Sequence, residues 1–115
     1  MSPKLAIDAV RRSNRFRVVL NLPLRIGLKT ATLVDISVAG ILATHAGMLQ
    51  TGANVEISFV SNDEKFQATA QVASCTVVGL GAGEGGATLY ASRLYFTKMT
   101  DASRKILESM VGDPA

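Results

Sequence analysis

Tryptophan is absent from the 115 residues, cysteine and histidine occur once each, and proline three times. A lone cysteine rules out an intramolecular disulfide, and Cys75 with His45 is too small a set for a thiolate zinc site. The two residues stand 30 positions apart. Cys75 falls in a strand-like stretch and reads as a small apolar residue, while His45 opens what reads as a loop, so a Cys–His catalytic pair is not expected. Charged residues make up only 18%. Even so, no apolar run approaches the ~18 residues needed to span a bilayer. The N-terminal stretch MSPKLAIDAVRR places its charge after its apolar residues, the reverse of a secretory signal. The expectation is a cytoplasmic protein with no membrane span. No carboxylate pair, metal cluster or activated nucleophile stands out, so neither an enzyme nor a cofactor is expected.

What is present is apolar residue in quantity, 48% of the chain, enough for one buried core and too much for a disordered chain. Residues 1–10 read as a leader and 11–112 as the domain, with no output domain beyond it. The formal net charge is +3, and its distribution matters more than its size. Arg11, Arg12, Arg15 and Arg17 are four of the seven arginines, gathered in seven residues. That is one focused anion-attracting segment, not a basic face.

Beyond Arg17 the hydrophobic period is two. Strands are expected at Leu22–Leu28, with Pro23 near the start, and at Lys29–Ile36, with Ala31, Leu33 and Asp35 on one face. Gly40–Thr44 follows, then a loop from His45 to Ala53. Asn54–Val60 is a fourth strand and Ser61–Glu64 a turn. A long fifth strand begins near Phe66 and runs as far as Val78, and a sixth spans Ala87–Phe96. The period then becomes helical. Asp101–Val111 aligns Ile106, Leu107, Met110 and Val111 on one stripe, with Thr100 or Asp101 as cap and Gly112 as stop. The predicted fold is all-β, a six-stranded antiparallel barrel with a C-terminal helix.

Two short elements carry the functional reading. One is Arg11-Arg12-Ser13-Asn14-Arg15 followed by Phe16, an R-x-x-x-R-aromatic pattern. The other is Asp35-Ile36-Ser37-Val38-Ala39-Gly40, a D-x-S-x-x-G on the turn after the second strand. Their order, spacing and barrel-and-helix context resemble the PilZ domain family over residues 10–108. The resemblance implies a receptor for the bacterial second messenger cyclic di-GMP. It further implies that Arg11 and Arg15, with Arg12 and Asn14 as helpers, lie on a flexible arm that folds over the ligand, and that Asp35, Ser37 and Gly40 sit on the barrel surface. An unidentified effector protein would then be the downstream partner.

The chemistry suits that ligand. An arginine fork bonds the O6/N7 edge of guanine, stacks on the base or grips a phosphate. An aspartate accepts from guanine N1–H and N2–H, which arginine cannot. Gly40 would permit a positive φ or a close backbone approach. In the last strand, Ala91–Phe96 lacks the glycine that many members of the family carry there.

Other patterns have plainer readings. Gly81-Ala82-Gly83-Glu84-Gly85-Gly86 matches G-x-G-x-x-G, but a strand-like segment follows it where a dinucleotide site needs a helix. Phe59, Phe66, Tyr90, Tyr95 and Phe96 could stack single-stranded nucleic acid. Their alternation points them inward as core, and nucleic acid is not the expected partner. Two alternatives remain open: a PilZ-like adaptor that binds only protein, and a small barrel for single-stranded nucleic acid.

Overall fold

The computed structural model describes residues 18–81 and 84–111. Six strands form a closed antiparallel barrel: β1 (Val18–Ile26), β2 (Lys29–Ile36), β3 (Gly40–Ala46), β4 (Asn54–Ser61), β5 (Glu64–Gly79) and β6 (Leu89–Met99). Their order around the barrel is β1-β2-β3-β6-β5-β4. One helix, α1 (Asp101–Val111), follows. The expected fold class is therefore the observed one.

Local chemistry sets the hairpins. Ile26 pairs with Lys29 across a two-residue turn, and its first position, Gly27, has φ 62°, which favours glycine. Ser61 pairs with Glu64 in the same way. Here Asn62 and Asp63 both have positive φ, 51° and 65°, and these are the side chains that best tolerate the left-handed region. The first hairpin corrects one boundary. β1 begins at Val18, and Leu28 is a turn residue left 94% exposed.

β1 meets β4 through only two residue pairs, Arg25–Ser58 and Ile26–Ile57. Pro23 lies in the part of β1 that has β2 alone as neighbour, a place where a strand tolerates a residue without an N–H. Inward-facing Leu33, Ile36, Ile41, Ile57, Phe66 and Leu94 form the centre of the core. Ile106, Leu107 and Val111 of α1 complete it, as the helical stripe predicts. The helix is held by its start. Thr100 Oγ1 accepts from the Ser103 N–H at 3.1 Å, and Ser103 Oγ accepts from the Gln67 N–H of β5 at 3.0 Å.

β3 is longer than expected and takes in His45, which is not a loop residue. It pairs with Ala31 on one side and Tyr90 on the other, and is 2% exposed. Glu84–Gly86, at the end of the glycine-rich loop, makes a short kinked turn with Gly85 at φ 69°, and a strand follows it, as the hairpin reading requires.

Candidate functional site

Asp35, Ser37 and Gly40 are brought together on one tight connection between β2 and β3. The Ser37 N–H donates to the Gly40 carbonyl at 2.9 Å, which leaves Val38 and Ala39 as the tip. Ser37 Oγ accepts from the Ala39 N–H at 3.3 Å. A hydroxyl that accepts still has its own proton to donate, so Ser37 can serve an acceptor lying above the turn. β6 pins the tip from the side, where the Phe96 N–H donates to the Ala39 carbonyl at 3.0 Å.

Gly40 is glycine for space, not for a left-handed φ. A Cβ there would collide with the Leu94 carbonyl oxygen and stand 3.0 Å from both the Leu94 carbonyl carbon and Tyr95 Cα. Real Cβ atoms do not approach backbone so closely, so β3 can lie this near β6 only without a side chain. Of the two uses foreseen for Gly40, the close approach is the one realised.

Asp35 does not share a face with Leu33. Leu33 pairs with Ala43, yet Asp35 pairs with Leu42, so one residue of β2 is extra at this point. A bulge of this kind reverses the alternation beyond it. Ala43 and Ile41 point into the core, so Leu42 and its partner Asp35 point outward. Asp35 is nevertheless only 6% exposed. A second irregularity, in β1 between Val19 and Leu22, lies alongside.

Arg11, Arg12, Arg15 and Asn14 lie outside the described residues. The register of β1 nevertheless bears on them. Val18 pairs with Ile36 and Val19 with Asp35, so the chain enters the barrel beside the aspartate. Arg15 stands four residues before Val19. Four residues of chain span at most about 14 Å.

Two residues of this face were not foreseen as site residues. Leu42 pairs onward with Arg93 of β6, and Arg93 with Ser74 of β5. Gly40 pairs with Tyr95, which is 49% exposed on the outer face and is not a core aromatic. Phe59, Phe66 and Phe96 do pack inward, as expected. A single-strand reading of β6 could have marked Arg93 and Tyr95 as outward, since buried Ser92 and Leu94 alternate with them.

A separate polar cluster lies inside the barrel wall. His45 Nδ1 is 2.8 Å from the Gly47 carbonyl and Nε2 is 2.7 Å from Ser92 Oγ. A carbonyl can only accept, so Nδ1 carries the proton and Nε2 of the neutral ring accepts from Ser92. Burial holds the imidazole below its ordinary value of 6.5, and nearby Lys29 adds to the effect. The unfolded chain therefore takes up this proton before the folded one. Stability is expected to rise with pH below about 6.5 and to fall as the solution is acidified from there. Melting temperatures at pH 7.5 and 5.5 should show a smaller difference for His45→Gln than for the unaltered protein. Equal differences would remove His45 from the pH response.

An antiparallel barrel with a C-terminal helix and an outward Asp–Ser–Gly turn clamped by the last strand defines a small ligand- or protein-binding module. Among the described residues no group of three metal-ligating side chains occurs, and no helix is long and apolar enough to cross a membrane. The model of the PilZ domain matches residues 9–113, and the chain belongs to that family, whose domains are binding and adaptor modules rather than enzymes. Among solved structures it is similar to the inhibitor of motility MotI/DgrA of Bacillus subtilis, with a TM-score of 0.62 and 14% identity. The likeness covers 83% of this chain and 47% of that one, so the chain spans about half of that neighbour's length. No curated protein sequence is similar enough to count as a relative.

Proposed function

We propose that the chain is a cyclic di-GMP receptor whose arginine segment, Arg11 to Arg17, is drawn across the Asp35–Gly40 turn by the ligand and so remodels a surface read by a partner protein. The observation that carries this reading is the pairing of Val19 with Asp35. Chain connectivity alone ties an arginine-rich segment to the strand end beside a turn that carries a carboxylate and a hydroxyl. Arginine forks supply what guanine O6/N7 and the phosphates need. Asp35 supplies the acceptor for N1–H and N2–H, and Ser37 a short donor. PilZ membership supports the same ligand. The solved neighbour is described as an inhibitor of motility, which fits an output exerted by contact on another protein.

The test is a calorimetric titration with cyclic di-GMP, beside GMP and cyclic di-AMP, repeated on Arg15→Ala. Binding of cyclic di-GMP alone, weakened roughly 10-fold or more in the variant, is expected for the loss of a charge-assisted contact. Absence of heat and binding in the unaltered protein would overturn the receptor reading. It would leave a ligand-independent adaptor as the better account.

A further inference from the structure

β5 outruns one of its two neighbours. Its first half, Glu64–Gln71, pairs with β4 along the whole of that strand, while Val72–Gly79 pairs with β6 alone. On the β4 side the last backbone bonds are at Val72. Its carbonyl accepts from the Gly52 N–H at 2.7 Å, and its N–H donates to the Ala53 carbonyl at 2.9 Å. Further along, the Leu49 N–H meets a side chain, the Cys75 sulfur, at 3.4 Å. Among the described residues no strand lies beside Ser74–Gly79 on that side. The stretch is an open edge about 20 Å long, the length of an ordinary strand.

Open edges are ordinarily protected by a charge, a proline or a bulge. The edge of β1 that β4 leaves unpaired, from Val18 to Leu24, carries Pro23. The β5 edge has no such guard. No aspartate, glutamate, lysine, arginine or proline occurs from Phe66 to Gly83. Val77, Val78 and Leu80 are 52%, 55% and 84% exposed. The register shifts fall towards its ends, between Val72 and Ser74 and between Val77 and Gly79, so Ser74–Val77 stays in step with β6. A second copy of the chain suits this edge. Every strand pair of the barrel is antiparallel. A two-fold axis sets the same edge antiparallel to itself, so its backbone donors and acceptors are matched by symmetry. The chain as a whole carries +3, yet two uncharged edges meet with no like charges opposite one another. An acidic or basic peptide would find no counter-charge there.

We propose that Ser74–Gly79 is a self-association edge, at which two copies of the chain pair β5 against β5 about a two-fold axis. The β3–β6–β5 wall of one copy then continues into the β5–β6–β3 wall of the other as one sheet, and Val77 and Val78 lose solvent. This contact requires no nucleotide. An edge this short belongs to the small class of interfaces, below about 1,200 Å² in total. A dissociation constant on the order of 10–100 µM is therefore expected.

Sedimentation equilibrium of the full chain from about 5 to 500 µM, a range that brackets this constant, tests it. The unaltered chain should pass from monomer to dimer. Thr76→Lys and Val78→Lys place an ammonium at exposed positions of the edge, where it meets its own copy across the axis. Each should weaken the dimer roughly 10-fold or more. Val60→Lys adds the same charge at an exposed apolar position of β4 and should dimerise as the unaltered chain does. Melting temperatures close to the parent's show that each variant is folded. A second measurement needs no variant: amide hydrogen exchange across Ser74–Gly79 should slow as the concentration of the unaltered chain is raised. A chain that stays monomeric to about 500 µM overturns the proposal, as does a dimer that both folded edge variants leave intact. Equal weakening in Val60→Lys reduces the effect to net charge, and a dimer whose Ser74–Gly79 exchange is unchanged joins through another face. Either result overturns the edge pairing.

Discussion

Gly40→Ala is expected to destabilise the barrel by about 3 kcal/mol, the upper part of the usual range for forcing atoms into a packed site. One methyl group would fall on the Leu94 carbonyl, and both strands are anchored there. β3 is paired to β6 from Gly40–Tyr95 to Ala46–Leu89, and the tip beyond it is bonded through Phe96 N–H to Ala39. Neither backbone can yield without breaking ladder bonds, and no flexible side chain is present to absorb the collision. For a domain of this size the loss corresponds to a melting temperature lower by about 10–20 °C. Urea denaturation of Gly40→Ala beside Ser37→Ala checks it. Ser37→Ala removes a hydroxyl whose bond among the described residues lies within the turn at 3.3 Å, so its cost should stay below about 1 kcal/mol. A Gly40→Ala protein as stable as its parent would mean that the two strands are not held at this distance. On the proposed receptor function, the same substitution should also weaken cyclic di-GMP binding, because the Asp35–Ser37 geometry depends on the clamp.

Phe66→Ala is expected to cost still more, about 3–5 kcal/mol, without any direct effect on the outer face. Phe66 is fully buried at the centre of the core. Its ring lies 4.8 Å from Phe59 at 36° and 5.6 Å from Phe96 at 70°, the second an edge-to-face contact. Truncation removes the transfer free energy of the ring and both aromatic contacts, each worth roughly 0.5–1.5 kcal/mol beyond area. It also leaves a void that strands on every side of a closed barrel cannot collapse to fill. Since domains are stable by only about 5–15 kcal/mol, a large part of the total is at stake. A shift in the denaturation midpoint checks it, with Phe66→Leu losing a fraction as much. A cost under about 1 kcal/mol for Phe66→Ala would show that the three rings are not packed as a unit.

The contrast between the two positions separates what could be read from residues alone from what could not. Phe66 was an inward strand residue by alternation, and its burial follows from that period. Gly40 was marked by its motif, yet two physical reasons for a glycine stood open, and only the approach of β6 chose between them. The local pattern puts His45 in a loop, because a histidine between Thr44 and Ala46, close to Gly47, carries no strand signal of its own. Ala31 and Tyr90 on the neighbouring strands made it part of the ladder. Strict alternation puts Asp35 on the face of Leu33. The extra residue of the bulge turned it outward, and a bulge is a property of two strands in register, not of one strand's composition.

By itself, then, the sequence determined the element types, nearly all the strand positions, the helix with its stripe, and the two motifs that mark the family. Period-two and period-3.6 burial and turn chemistry are local, so residues within a few positions of one another suffice to specify them. The tertiary structure alone decided that Val19 pairs with Asp35, that Gly40 is required by a neighbour's carbonyl, and that Arg93 and Tyr95 share the outer face with the turn. Those depend on which strands pair and in which register, and strands separated by fifty residues meet only when the barrel closes.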